Sequence, residues 1–163
     1  RFILTYTPDY LYFVPGALML AAGLLLLAIL ARGPVDVGGL HMGIHFVALG
    51  AMLAMIGFNV INLGVMAKTI LARRYAGMRS RTVGWLTNKF SLELGLIAGA
   101  VLFQTGIGID AWILAKWWAT GQGPMEDTVH LAFVATTSAV LGLNVAFNSF
   151  LLALLVTPDS DAG

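Results

Sequence analysis

Residues Lys68–Glu93 read KTILARRYAGMRSRTVGWLTNKFSLE and separate two long apolar stretches. Six of the nine Lys and Arg residues lie in this segment, and no acid precedes Glu93 within it. Lys and Arg near the ends of membrane spans are retained on the cytoplasmic side, and clustered cations also attract anionic lipid headgroups. Lys68–Lys89, called the basic segment below, therefore predicts which end of the protein faces the cytoplasm.

The composition is that of a membrane protein. The chain has 163 residues, of which 59% are hydrophobic and 10% charged, against about 25% charged residues in a soluble domain. Its mean hydropathy is +0.88. Since cysteine is absent, disulfides, iron–sulfur clusters and thiolate zinc sites are excluded for this chain. The motifs of nucleotide-binding loops, serine hydrolases and zinc proteases are absent too, and nothing suggests a nucleic-acid partner.

Four apolar runs are long enough to cross a bilayer, which takes ~20 helical residues. The predicted spans are residues 11–31, 45–71, 92–118 and 129–156. We therefore predict an all-α, four-helix transmembrane domain over residues 1–157, followed by a flexible tail at 158–163. Apolar residues alternate with cations between Val83 and Phe90, which predicts a short cytoplasmic interfacial helix. An even number of spans places both termini in the cytoplasm, and we expect a bacterial inner-membrane protein.

Parts of the chain recur. His45 and Gly57-Phe-Asn59-Val60 return as His130 and Gly142-Leu-Asn144-Val145 at the same internal spacing. Upstream, Gly16-Ala17-Leu18 resembles Gly99-Ala100-Val101. The pattern suggests two repeated helical hairpins, as in transporters built from parallel repeats, although apolar sequences also match by chance.

The basic segment allows two interpretations. Its cations set the topology and are solvated by water and headgroups, or some of them bind a lipid phosphate. Arginine suits the second role because its planar fork donates two hydrogen bonds to one phosphate. The candidate phosphate-binding residues are Arg73, Arg74, Arg79, Arg81, Lys89 and the juxtamembrane Arg1. Glu93 is expected in the first turn of the third helix, paired with a cation of the loop.

Polar residues also lie inside the predicted spans. They are Asn59, Asn62, Gln104, Asp110, Asn144 and Asn148. The asparagines are expected to face the bundle interior, with Asn59 and Asn144 at similar depth, and to link helices by hydrogen bonds; lining a substrate path is the alternative. Asp110 is ionisable and therefore a functional candidate, unless Lys116 or water pairs with it near the outer end.

The histidines offer a weaker alternative. His41 and His45 are one helical turn apart, and His130 is expected at the same membrane face. His45 and His130 on facing helices could ligate a haem or a pigment, and all three histidines could hold zinc. Near span ends histidine is also tolerated without a ligand, so no metal or cofactor is expected in this chain.

The order of features resembles a known family. The features are, in order, the opening RFILTYTPDYLYFVPG, the Gly-rich outer loop, a second helix ending in AK, the stretch FSLELGLIAGAVL, the turn Gly121-Gln-Gly123-Pro124 and the ending NSFLLALL. Together they resemble the C-terminal four-helix membrane domain of bacterial family-2 glycosyltransferases. The similarity is to the polyprenyl-phosphate or dolichol-phosphate hexose synthase type, and it covers essentially the whole chain.

The resemblance implies a division of labour. Such proteins carry an N-terminal cytosolic GT-A domain that transfers a sugar from a nucleotide-sugar to a polyprenyl phosphate, using a divalent metal (Mg or Mn) held by acidic residues. That domain is expected to precede Arg1, so no catalytic residue is assigned here. The implied role is to anchor the enzyme and to present the lipid acceptor. The expected partners are membrane lipids, polyprenyl phosphate, the chain's own catalytic domain or other membrane subunits, and a second copy of the chain.

Three other functions stay open from the residues alone. The chain could be a non-catalytic accessory subunit of a larger membrane complex, contributing packing and lipid contacts. It could instead be a haem- or pigment-binding protein that uses His45 and His130. A small transporter built from two hairpins would need a cavity in the middle of the membrane.

Overall fold

The computed structural model describes residues 9–74, 92–121, 123 and 125–156. Within these ranges the chain forms α1 (Val14–Leu30), α2 (Ile44–Arg74), α3 (Leu92–Ala119) and α4 (Glu126–Val156). Four segments are long and apolar enough to cross a membrane, namely Leu11–Leu30, Ile44–Leu71, Leu92–Ala119 and Thr128–Leu155. The prediction of an all-α polytopic membrane protein with four spans is therefore confirmed. The predicted interfacial helix and the tail lie outside the described residues.

The first span begins with a π-helical turn rather than with an α-helix kinked at Pro15. The turn covers Asp9–Phe13 and passes directly into α1, where Pro15 is one of the first two residues. Proline has no amide hydrogen, and its ring clashes with the carbonyl four residues earlier in an α-helix. Because a π-helical turn does not use that α-helical hydrogen bond, Pro15 is accommodated at the helix start.

The Gly-rich loop after α1 contains a small β-hairpin, which the all-α prediction did not include. Strands β1 (Val35–Val37) and β2 (Leu40–Met42) pair antiparallel. Their two-residue connection, Gly38-Gly39, has φ values of 57° and 85°, and a tight hairpin turn of this kind needs positive φ at both positions. The pair of glycines between two short apolar runs was the signal for this hairpin.

The helices are arranged as two antiparallel hairpins. α1 packs on α2, α3 packs on α4, and α2 contacts α4 to join the pair. The buried core lies where α1 and α2 meet, at Leu27, Leu30, Val47, Ala51 and Ala54, with Phe133 and Val134 of α4 packed against it. Most other large apolar side chains face outward. Lipid tails are as apolar as those side chains, so close packing between helices is what holds such a bundle together.

Glycine brings the helices of each hairpin into backbone contact. A Cβ built on Gly57 would stand 2.6 Å from the Gly16 carbonyl oxygen, and one on Gly23 would stand 2.6 Å from the Gly50 carbonyl oxygen. In the second hairpin, a Cβ on Gly142 would stand 2.7 Å from the Gly99 oxygen. One on Gly106 would stand 2.5 Å from the Ala139 nitrogen and would also meet the Ala135 oxygen.

These contacts follow the predicted repeat. The contact between Gly16 and Gly57 corresponds to the contact between Gly99 and Gly142. Likewise, the contact between Gly23 and Ala54 corresponds to that between Gly106 and Ala139. The equivalent atoms meet in both hairpins, namely a helix carbonyl oxygen and the backbone nitrogen four residues later. Chance similarity of apolar sequence does not require equivalent contacts. The equivalent glycine contacts are therefore what a repeated helical hairpin would produce.

The two hairpins differ at the end away from the basic segment, which we call the hairpin end. Leu30 and Ile113 are equivalent positions, because they lie the same number of residues after Gly23 and Gly106. However, α1 ends at Leu30, whereas α3 continues to Ala119. The first hairpin uses the β-hairpin where the second continues as a helix. The opposite end, where α2 ends and α3 begins, is called the loop end.

Candidate functional site

The loop end carries part of the predicted phosphate-binding set. Arg73 and Arg74 are the last two residues of α2, and α3 starts again at Leu92. Arg1, Arg79, Arg81 and Lys89 lie outside the described residues. Since α1 and α3 run antiparallel to α2 and α4, the start of α1 and the end of α4 also lie at this end of the bundle.

Lys68 links the start of α1 to the last turns of α2. Its Nζ lies 5.1 Å from the centre of the Phe13 ring, a geometry that favours cation–π attraction. One turn earlier, the Cα of Gly64 is so close to α1 that a Cβ there would stand 2.8 Å from Cβ of Tyr12. The chain that leads into α1 is thereby held beside the beginning of the basic segment.

Glu93 lies in the first turn of α3 and is exposed. The positive end of the helix dipole favours a carboxylate at this position. Of the loop cations with which it was predicted to pair, Arg79, Arg81 and Lys89 lie outside the described residues, and the side chains of Arg73 and Arg74 are outside the described part as well. That pairing stays a prediction, while the helical position of Glu93 is as expected.

Polar contacts between α3 and α4 come from Ser and Thr hydroxyl groups, which were not among the predicted polar contacts. Thr136 Oγ1 donates to Asp110 Oδ2 at 3.4 Å, and Ser138 Oγ donates to the Leu102 carbonyl oxygen at 3.1 Å. Lys116, the expected partner of Asp110, instead lies over the Trp112 ring at 5.5 Å. Ser and Thr on α4 were recognisable as candidates because hydroxyls commonly bridge membrane helices.

The asparagines of α2 differ in exposure. Asn59 is exposed because Gly57 faces α1, and two residues further on a helix side chain points about 200° away. Asn62 buries its amide nitrogen, which has no hydrogen-bond partner among the described residues. The helices of this hairpin meet through glycine and alanine, which offer no side-chain acceptor, so the interhelical bond of this amide stays a prediction.

The remaining polar positions differ in exposure. Asn144 and Asn148 are half-buried on α4, and Gln104 is exposed on α3. Asn144 occupies the position that corresponds to Asn59 in the repeat, yet the two differ in exposure. Equivalent positions in the predicted repeat therefore differ in their surroundings, and their similar depth stays a prediction.

The two histidines of the cofactor alternative lie in different environments. His130 is 6% exposed, and its Nδ1 lies 3.0 Å from the Leu30 carbonyl oxygen. His45 is exposed at the start of α2. Among the described residues no three His, Asp or Glu side chains are grouped closely enough to hold a metal ion, so the three histidines do not form a zinc site.

Comparison with known families identifies the bundle. Residues 65–156, which include the end of α2, the basic segment, α3 and α4, match the glycosyltransferase family 2 C-terminal transmembrane region. The chain belongs to this family. The matched region thus includes parts of both the loop end and the hairpin end of the bundle. The loop-end residues from Lys68 onward lie within it.

One relative supports the same assignment. The low-salt glycan biosynthesis hexosyltransferase Agl6 of Haloferax volcanii is 33% identical over 155 residues. The similar region covers 95% of this chain but 37% of the relative, so the chain spans little more than a third of that protein's length. No solved structure matches the chain.

Proposed function

We propose that this membrane region anchors a glycosyltransferase and presents a polyprenyl phosphate to the catalytic domain. In this proposal the catalytic domain precedes α1, lies at the loop end and transfers a hexose from a nucleotide-sugar with the help of a divalent metal. The observation that carries the proposal is the contact between Lys68 and Phe13. It holds the chain entering α1 next to the segment richest in cations.

The charge distribution supports the choice of acceptor. A prenyl phosphate has an apolar tail, which stays in the membrane, and an anionic head at the membrane surface. Arg73 and Arg74 end a helix of 31 residues, which is about 46 Å long at 1.5 Å per residue. The hydrocarbon core is ~30 Å thick, so the helix can carry these cations beyond the core to headgroup level.

The test replaces Arg73, Arg74, Arg79 and Arg81 with glutamine in the full-length protein. We expect the KM for polyprenyl phosphate to rise at least ten-fold, because each cation near a membrane surface contributes about 1 kcal/mol to binding an anionic lipid, and the loss of two such contacts already exceeds a factor of ten. The KM for the nucleotide-sugar should not change. Transferase assays with each substrate varied in turn give both values.

Lys116→Gln is the matched control, since it removes a cation at the opposite end of the bundle. An unchanged acceptor KM and rate in the fourfold variant would leave the basic segment as a topology signal. A full-length protein with no transferase activity towards any prenyl phosphate would favour the accessory-subunit function instead.

The proposed orientation has its own test. We propose that the loop end and both termini face the cytoplasm, because the basic segment is there. Ala119→Cys and Leu92→Cys place a thiol at opposite ends of α3, and both positions are exposed. Since the chain has no cysteine, labelling above that of the unsubstituted protein reports the new thiol.

We expect a membrane-impermeant maleimide to label the thiol at position 119 in intact cells and the thiol at 92 only after permeabilisation. The reverse pattern would contradict the orientation. It would also place the proposed acceptor site on the wrong side for a cytosolic catalytic domain.

A further inference from the structure

A cleft of about 530 Å³ opens at the hairpin end, away from the proposed acceptor site. It lies between the segment after α1, the start of α2 and the first turn of α4. The lining residues that matter here are Arg32, His41, Gly43, Ile44, Val129 and His130. A cation, two imidazoles and two apolar side chains therefore surround one volume.

The cleft exists because α1 is short. The equivalent helix of the second hairpin, α3, continues to Ala119, whereas α1 ends at Leu30 and the chain continues into the β-hairpin. α4 stands beside the space that a longer α1 would fill. The cleft is thus a departure from the repeat rather than a product of it.

Its depth corresponds to the polar surface of a bilayer. The first span, Leu11–Leu30, has 20 residues and is about 30 Å long, which equals the thickness of the hydrocarbon core. Leu30 therefore lies at the boundary of the core when the span is centred. Arg32 and Gly33, which line the cleft, follow immediately, at the level of lipid headgroups.

The hydrogen bonds of the two imidazoles leave one nitrogen of each ring for a ligand. His130 Nδ1 lies 3.0 Å from the Leu30 carbonyl oxygen, which can only accept a hydrogen bond, so Nδ1 is the donor and Nε2 is left for a ligand. His41 Nδ1 lies 2.7 Å from Asp36 Oδ1 across the β-hairpin. Nε2 of His41 lies 3.7 Å from the point where a Cβ on Gly43 would stand, beside the lining of the cleft.

We propose that this cleft binds a lipid headgroup that contains a phosphodiester and hydroxyl groups. The Arg32 guanidinium donates to the phosphate oxygens, and the imidazole Nε2 atoms accept hydrogen bonds from the hydroxyls. Ile44 and Val129 contact the adjoining glycerol or prenyl carbons. Two lipids have this chemistry: a bulk phospholipid such as phosphatidylglycerol, and a prenyl-linked sugar phosphate.

The test measures lipid binding by native mass spectrometry of the full-length protein in detergent. The background is the fourfold arginine variant of the basic segment, so that anionic lipid at the loop end does not contribute. Dioleoylphosphatidylglycerol is titrated first. We expect Arg32→Gln to raise its dissociation constant about ten-fold, since it removes a charge-assisted bond.

The His130→Asn variant tests the contribution of Nε2, the second nitrogen of the buried imidazole. The asparagine amide can still donate to the Leu30 oxygen in place of Nδ1, but nothing replaces Nε2. We expect a weakening of about three-fold, as for the loss of one neutral hydrogen bond. Lys116→Gln, the matched loss of a cation at the same end, should leave the dissociation constant unchanged.

The outcomes separate the two sources. Displacement of phosphatidylglycerol by a short-chain prenyl-phosphate hexose at lower concentration assigns the cleft to the sugar lipid, and failure to displace assigns it to bulk phospholipid. Equal binding of dioleoylphosphatidylcholine, which has neither net charge nor hydroxyls, would overturn the proposal. So would a dissociation constant that Arg32→Gln does not change; Arg32 is exposed, so this variant is expected to fold. Neither result depends on transferase activity.

Discussion

Replacing Gly106 with alanine is expected to destabilise the protein by about 2 kcal/mol. The added methyl group would meet the Ala135 carbonyl oxygen and stand 2.5 Å from the Ala139 nitrogen. Both are backbone atoms of α4, so no side chain can rotate away. α3 and α4 would have to separate, with loss of the packing that joins membrane helices.

Gly108 is the matched control on the same helix. A Cβ there would have no atom within 4 Å. Gly108→Ala should therefore stabilise the protein, by about 0.5–1 kcal/mol, because alanine favours the helix more than glycine does. Unfolding of the full-length protein in mixed micelles with increasing dodecyl sulfate gives the free energy of unfolding of each variant. Two changes of the same sign would contradict the packing at Gly106.

The repeat adds a second expectation to this experiment. Gly23 faces Ala54 and Gly50 as Gly106 faces Ala139 and Ala135. Gly23→Ala should therefore cost about as much as Gly106→Ala. A cost confined to one hairpin would show that the two copies do not share their packing.

Asn62→Leu is expected to raise the free energy of unfolding by about 1–2 kcal/mol. The amide nitrogen of Asn62 is buried and has no hydrogen-bond partner among the described residues, and an unsatisfied buried donor costs ~1–3 kcal/mol. Leucine has the same branched skeleton with methyl groups in place of the amide atoms, so it removes this donor without leaving a cavity. The same unfolding measurement in mixed micelles tests this.

Asn59→Leu, one turn away on α2, is the control for this change. Asn59 is exposed and meets lipid or detergent whether or not the helices are assembled, so its replacement should leave the unfolding free energy within about 0.5 kcal/mol. Destabilisation by Asn62→Leu would mean that the amide has a partner in the membrane. A stabilised Asn62→Leu protein with a raised acceptor KM would place this amide in contact with the lipid acceptor.

The position of the basic segment relative to α1 connects the fold to the proposed function. Tyr12 and Phe13 pack against Gly64 and Lys68, so the first helix cannot shift along the second without losing these contacts. In the proposed function, a catalytic domain attached before α1 would therefore enter the membrane region beside the start of the basic segment. This is the arrangement that positioning of a substrate requires.

Several features were predictable from the sequence because they are local. A span is a run of apolar residues long enough for the bilayer, and a helix satisfies its own backbone hydrogen bonds wherever its neighbours lie. The four spans, the helical position of Glu93 and the two related hairpins follow from such patterns. The Gly38-Gly39 turn was local too, and its short flanking strands were overlooked.

Other features depend on how far each helix is rotated about its axis. The sequence placed Asn59 and Asn62 on one face, but packing through Gly57 turned Asn59 outward and buried the Asn62 amide. Likewise, the imidazole of His130 donates to the end of α1, which only the docking of α4 against the first hairpin could establish.

The sequence by itself therefore determined the solvent of this protein, its four helices, their repetition and the location of its charge. The tertiary structure decided which residues meet: Gly106 with Ala139, Lys68 with Phe13, and Arg32 with the two imidazoles around one cleft. The physical reason is that lipid tails solvate every apolar helix face equally well. Helix rotation and depth are consequently selected by the close fit of small residues and by a few polar contacts, and these arise between distant parts of the chain.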